Sequence, residues 1–116
     1  MSTSIDLPRF ENTVRKLYTA SPFSVEEVIA IFEYYFLMYS MYRGEEHPPL
    51  RAGQVLDIMK RMPFVDVGGG ADVELIPEQY PGMIARYFNT RFPGCDYRIN
   101  HFFSGRVREM RMWEGM

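Results

Sequence analysis

Residues Ser24–Arg43, SVEEVIAIFEYYFLMYSMYR, form the longest apolar stretch of the chain, and the remaining segments have to be arranged around it. Ser24 carries the side chain of a helix N-cap, and Glu27, three residues on, completes a capping-box pattern. Gly44 stands where a left-handed C-terminal cap is usual, and Pro48 and Pro49 bar any resumption of the helix. Between these stops, aliphatic and aromatic residues point in nearly every direction. The clearest polar stripe is Glu26, Glu33 and Ser40, spaced by seven, with Arg43 three further on. A helix apolar over most of its circumference is covered by its own domain or by a partner.

At 116 residues the chain has the length of a single domain, 1–116, and can bury a substantial core. Hydrophobic residues make up 47% and aromatic residues 16%, which excludes intrinsic disorder as the overall class; only residues 1–5 read as loose. The formal charge of −2 provides no whole-molecule attraction for nucleic acid or an anionic membrane. A single cysteine, Cys95, rules out an internal disulfide and fits a reducing compartment. The N-terminus lacks an apolar signal region, and the apolar run from Val28 to Met38 contains Glu33 and falls short of the roughly 20 residues a membrane span needs. The expectation is a cytoplasmic protein with no membrane association.

Outward from the central helix, Leu7, Phe10, Val14, Leu17 and Tyr18 recur at three- and four-residue spacing, which predicts an amphipathic helix with Asp6 as cap and Pro8 in the first turn. This helix is expected to pack back on the central one as a hairpin. Ala52, Val55, Leu56, Met59 and Met62 mark a third helix over 50–62, ended by Pro63. Residues 64–67 and 73–76 read as two short antiparallel strands around Gly68-Gly69-Gly70. Met83, Ile84, Tyr87, Phe88 and Phe92 give a further helical face up to Pro93-Gly94. For the C-terminus two readings compete. Tyr97–Phe103 and Arg106–Trp113 suit a β-hairpin turning at Ser104-Gly105, whereas the helix-forming residues of 105–114 and the three-residue recurrence of Val107, Met110 and Trp113 favour a helix there. The expected fold is mainly α (α+β): a compact domain of four to five helices around helix 24–43, with a small β element near 64–76.

Charge is unevenly distributed. Residues 24–49 hold five acids against Arg43, and 66–78 hold four acids and no base. Residues 86–111 hold six arginines against Asp96 and Glu109. Arginine suits forked contacts with carboxylate or phosphate, and pairing of these arginines with the acidic segments is the expected use.

No motif for a cofactor is complete. The glycine run lacks the Lys-Ser/Thr of a phosphate loop, has Val73 where a dinucleotide fingerprint needs a small residue, and is followed by strand rather than helix. Cys95 and His101 could approach one another in space, but catalysis by a thiolate–imidazole pair also needs an orienting group and a lowered thiol pKa, and the expectation is that Cys95, beside the Pro93-Gly94 turn, is a small filler and His101 a satisfied polar residue near the core edge. Cys95, His101 and His47 lack the paired short spacings of a zinc site. Asp66, Asp72, Glu74 and Glu78 flank the glycine turn as solvated charges usually do. Neither cofactor nor metal nor catalytic activity is expected.

Tyr34, Tyr35, Met38, Tyr39 and Tyr42 combine apolar bodies with polar tips, a composition enriched at protein interfaces. The functional expectation is a small intracellular, non-catalytic interaction or regulatory module, self-associating or binding a protein partner through those five residues. An alternative comes from the order of elements. Helix 50–62, helix 80–92 and a hairpin over Tyr97–Trp113 resemble the sequence of elements in winged-helix DNA-binding domains. That resemblance implies nucleic-acid contact through Arg98, Arg106, Arg108 and Arg111. The chain departs from the winged-helix pattern between Pro63 and Gln79, where two strands stand in place of a short turn.

Overall fold

In a computed structural model, residues 6–66 and 72–104 are described. Helix α1 spans Leu7–Leu17, α2 Val25–Arg43, and α3 Ala52–Arg61. Strands β1 (Phe64–Asp66) and β2 (Asp72–Glu74) precede a 3-10 turn, Pro77–Gln79, which leads into α4 (Tyr80–Phe88) and a single helical turn, α5 (Ile99–Phe102). The architecture is the expected mainly helical α+β domain.

The ends of the helices follow from their side chains. The Asp6 carboxylate accepts from the Arg9 N–H at 3.2 Å and starts α1. Ser24 Oγ accepts from the Glu27 N–H at 3.1 Å, while Glu27 Oε1 accepts from the Ser24 N–H at 2.8 Å, so two otherwise orphaned donors of α2 are satisfied. At the other end Gly44 takes φ 72° and returns its N–H to the Ser40 carbonyl. A side chain is disfavoured in that left-handed conformation. Arg51 N–H donates to Gln54 Oε1 at 2.8 Å, which closes the start of α3.

Helix α2 packs against α4 and α1, and α1 also reaches α3, so the first two helices do lie together. Val28, Ile29, Ile31, Phe32, Tyr35, Phe36 and Tyr39 are buried along it. Phe10 of α1 meets Phe32 and Phe36 edge-on, with ring centroids 5.0 and 5.2 Å apart. The two strands pair antiparallel in the register Phe64–Glu74, Val65–Val73 and Asp66–Asp72, and the Leu75 N–H continues the ladder to the Pro63 carbonyl. Tyr80 Oη donates to the Met62 carbonyl at 2.6 Å, tying α4 to the end of α3.

Two expectations are corrected. Helix α4 stops at Phe88, short of Phe92, because Asn89 Nδ2 and Thr90 Oγ1 turn back onto the Ala85 and Arg86 carbonyls as the chain leaves the helix. The first arm of the C-terminal hairpin is not a strand. Residues 99–102 form α5, since Arg98 N–H is held by Asp96 Oδ1 and Ile99 N–H by His47, so neither joins a ladder. The second arm, and the competing helix over 105–114, lie outside the described residues, as do residues 67–71, where a glycine turn is expected.

His47 is the one polar residue in the core of the described residues, 2% exposed. Its Nε2 accepts from the Ile99 N–H at 3.0 Å, which leaves the proton on Nδ1 to donate to the Pro48 carbonyl at 2.7 Å. Tyr39 and Phe36 lie against the ring with centroids 4.7 and 5.0 Å away. Burial holds the imidazole below its ordinary range.

Replacing Ser24 by Ala is expected to lower stability by about 1 kcal/mol in denaturant unfolding. His47 makes the fold acid-sensitive. Its folded pKa is depressed, so the unfolded chain binds the extra proton first, and stability is expected to decline as pH falls from about 6.5 toward the depressed value. The slope is at most about 1.4 kcal/mol per pH unit. Unfolding curves at several pH values should show that slope, and His47→Gln should flatten it.

Candidate functional site: an exposed helix face and a thiol–imidazole pair

The five residues expected to form a contact surface separate once the fold is in place. Tyr35 and Tyr39 are buried, 0% and 2% exposed, and belong to the core. Tyr35 Oη donates to the Tyr97 carbonyl at 2.6 Å, and Tyr39 Oη reaches Glu45 at 3.5 Å. Tyr34 and Met38 are half-buried, whereas Tyr42 is exposed and stacks on Phe88 at 5.4 Å. The surface of α2 instead runs through Ala30, Tyr34, Leu37 and Met41, with Leu37 and Met41 56% and 68% exposed. These four are spaced four–three–four, the recurrence of a helix-pairing seam. The spacing is present in the sequence, but a helix apolar all round does not show which of its stripes stays outside.

Hollows open on either side of this ridge. One, of about 500 Å³, lies between Leu7, Tyr34, Leu37, Glu33, Ser40 and Glu46. The other, of about 370 Å³, lies between Tyr34, Ile31, Pro77, Glu78, Pro81 and Ile84. The neighbouring Glu11 carboxyl on α1, followed by burial, pushes Glu33 above the ordinary carboxylate range. At the start of the helix Glu26 pairs with Arg15 at 3.3 Å.

Of the arginines assigned to nucleic acid, Arg98 is described. It precedes α5 and pairs with Asp96 at 3.4 Å, a partner within its own segment rather than in the acidic blocks. Arg106, Arg108 and Arg111 lie outside the described residues. The wing that would have presented them loses its first arm to α5. Asp66 and Asp72 are register partners at the end of the ladder, and Glu74 and Glu78 are exposed.

The fold does bring Cys95 and His101 together. Cys95 Sγ lies 3.3 Å from His101 Nδ1, and Tyr87 Oη lies 2.7 Å from the same nitrogen and 3.6 Å from the sulfur. The Tyr97 N–H donates to Sγ at 3.2 Å. Cys95, His101, Phe92, Pro93, Gly94 and Asp96 line a hollow of about 360 Å³ that opens to the surface. Tyr87 is fully buried, and burial, followed by the proximity of Tyr35, pushes its phenol well above the ordinary range. Burial likewise raises Tyr35.

Tyr97 is the pivot of this corner. It is the one non-glycine residue with positive φ among the described residues, at 58°. A tyrosine in that conformation carries strain of about 1–3 kcal/mol and persists where its surroundings over-determine it. Here they do. Its carbonyl accepts from Tyr35, and its hydroxyl accepts from the Phe92 N–H and donates to the Thr90 carbonyl. Its ring stacks on Phe88 at 5.9 Å beneath the Arg43 guanidinium.

Comparison with known proteins finds no matching family model, no matching curated protein and no matching solved structure. Among the described residues no helix is long and apolar enough to cross a membrane.

Of the eight tyrosines, Tyr35 and Tyr87 are expected to stay un-ionised in the folded protein well beyond the ordinary tyrosine range of about 10. Absorbance titration at alkaline pH should show them ionising only as the protein unfolds, and Tyr87→Phe should remove one of those late steps.

Proposed function

We propose that this protein is a small non-catalytic interaction module that pairs with a second copy of itself through the outward face of α2. One observation carries this reading. Among the described residues six large hydrophobic side chains are exposed, and three of them, Leu7, Leu37 and Met41, lie on or beside that face. Scattered exposed hydrophobics are ordinary, but a contiguous apolar ridge between two hollows is the form a helix-docking surface takes.

The residues of the ridge favour a second copy in antiparallel orientation. An axis between Tyr34 and Leu37 sets Ala30 of one copy against Met41 of the other, small against large, and Tyr34 against Leu37. Parallel pairing would leave a void between two alanines at one end and crowd two methionines at the other. Antiparallel helices also oppose their dipoles. Arg43 of each copy then approaches the Glu26–Glu33 turns of the other, where like ends would set acid against acid.

Sedimentation velocity at micromolar concentration is expected to show a dimer. The double substitution Leu37→Glu and Met41→Glu should raise the dissociation constant at least about tenfold, a cost of about 1.4 kcal/mol, with the helical circular dichroism unchanged because both side chains are exposed. A wild-type protein that sediments as a monomer throughout that range overturns the reading.

A further inference from the structure

We infer that the two copies meet as knob and socket, with Met41 of each entering the hollow that the other forms between α2 and the start of α4. This rests on the self-pairing proposed above and adds to it a receiving surface outside α2. The starting point is area. Leu37 and Met41 are 56% and 68% exposed, Ala30 is small and Tyr34 is half-buried, so the ridge offers on the order of 400 Å² per copy, about half of what a stable interface takes from each partner. A dimer that holds at micromolar concentration therefore extends into one of the two flanking hollows.

The hollows differ in chemistry. The one beside α1 has Glu33, Ser40 and Glu46 on its walls, with Glu11 next to Glu33, and among the described residues no lysine or arginine lines it. An apolar side chain sealing it would strip water from carboxylates with no cation to compensate. The hollow of about 370 Å³ beside α4 is lined by Ala30, Ile31, Pro77, Pro81 and Ile84. Its two acids are accommodated, since Glu27 Oε1 accepts from the Ser24 N–H at 2.8 Å and Glu78 is exposed to water. Ile76, immediately before Pro77, is 56% exposed, and the ridge alone gives it no role.

Position along the helix selects the occupant. The α4-side hollow lies beside residues 27–34, in the N-terminal half of α2, whereas the protruding Leu37 and Met41 lie in the C-terminal half. Knob and socket thus occupy opposite ends of one face, Ala30 and Met41 being about 16 Å apart along the helix. In the antiparallel arrangement Met41 of each copy sits over Ala30 of the other. Each copy then gives one knob and receives one, a closed and self-complementary contact. Parallel pairing would bring Ala30 to the partner's socket and leave it unfilled. Methionine, unbranched and with three rotatable bonds, suits an irregular apolar hollow.

The test uses the full chain and two measurements. Pro81→Glu places a carboxylate in the socket wall while leaving every side chain of the α2 ridge in place. Pro81 is exposed in the first turn of α4, where an acid is favourable, so helical circular dichroism should be unchanged. Sedimentation velocity should show the dimer dissociation constant raised at least about tenfold. Separately, a photoreactive diazirine side chain at position 41, in an equimolar mixture of isotope-labelled and unlabelled chains, should crosslink between copies, with residues 76–84 among the sites. If the wild-type protein forms no dimer, the α2 reading and this inference fall together. A wild-type dimer alongside a folded Pro81→Glu variant that associates as tightly overturns the socket and leaves the α2 reading standing. Crosslinks between copies that include no residue of 76–84 do the same, and they decide the matter if Pro81→Glu fails to fold.

Discussion

The hydrogen bond from Tyr35 to the Tyr97 carbonyl spans 62 residues, and much of the domain depends on it. Tyr35 sits at the centre of α2 with no exposed surface. A phenol there that found no acceptor would cost about 1–3 kcal/mol, so full burial requires the chain to bring a carbonyl to it. No helix has a spare carbonyl at mid-length. The irregular segment after α4 provides it, by placing Tyr97 in a left-handed conformation that directs its carbonyl inward. His47 makes the matching demand from the other side. Its buried Nε2 needs a donor and takes the Ile99 N–H, two residues beyond Tyr97. Two buried polar side chains thereby fasten the C-terminal segment to the central helix, with directionality that apolar packing alone does not have.

The same fastening explains why Cys95 and His101 meet. They are six residues apart, a distance that as continuous helix or strand would not join their side chains in a turn. The left-handed residue between them reverses the chain, and α5 then presents His101 back toward Cys95. Tyr87 closes the triangle because α4 is held against α2, where its ring contacts Phe88, Phe92 and Phe102 at centroid distances from 5.2 to 5.4 Å. The strain at Tyr97 is offset by the hydrogen bonds of its carbonyl and hydroxyl and the packing of its ring, so the thiol–imidazole geometry rests on a fastened segment.

Helix α2 has a different problem on its outer side. A helix apolar around most of its circumference needs neighbours in every direction, and α1 and α4 flank it without closing over Ala30, Tyr34, Leu37 and Met41. The exposed ridge is a consequence of the number and length of the remaining helices as much as of the residues on α2.

Local rules read from the sequence were sufficient for α1, α2, α3 and the β element. Asp6, Ser24 with Glu27, and Gly44 act where their chemistry says they should. Three- and four-residue recurrences located α1 and α3, and the β element follows from two apolar runs about a glycine turn. Such features depend on residues within a few positions of one another, so the chain states them directly. Sequence reading failed where long-range hydrogen bonds override local preference. Tyr97–Phe103 has the residues of a strand and becomes a left-handed turn and a helical turn, because buried Tyr35 and His47 claim its carbonyl and its N–H. It failed again over which tyrosines face outward, since Tyr35 and Tyr39 differ from Tyr34 and Tyr42 only in what packs on them. The approach of Cys95, His101 and Tyr87 belongs to the tertiary structure alone. Their contact is set by how α4 and the segment after it lie on α2, and no spacing along the chain encodes that distance.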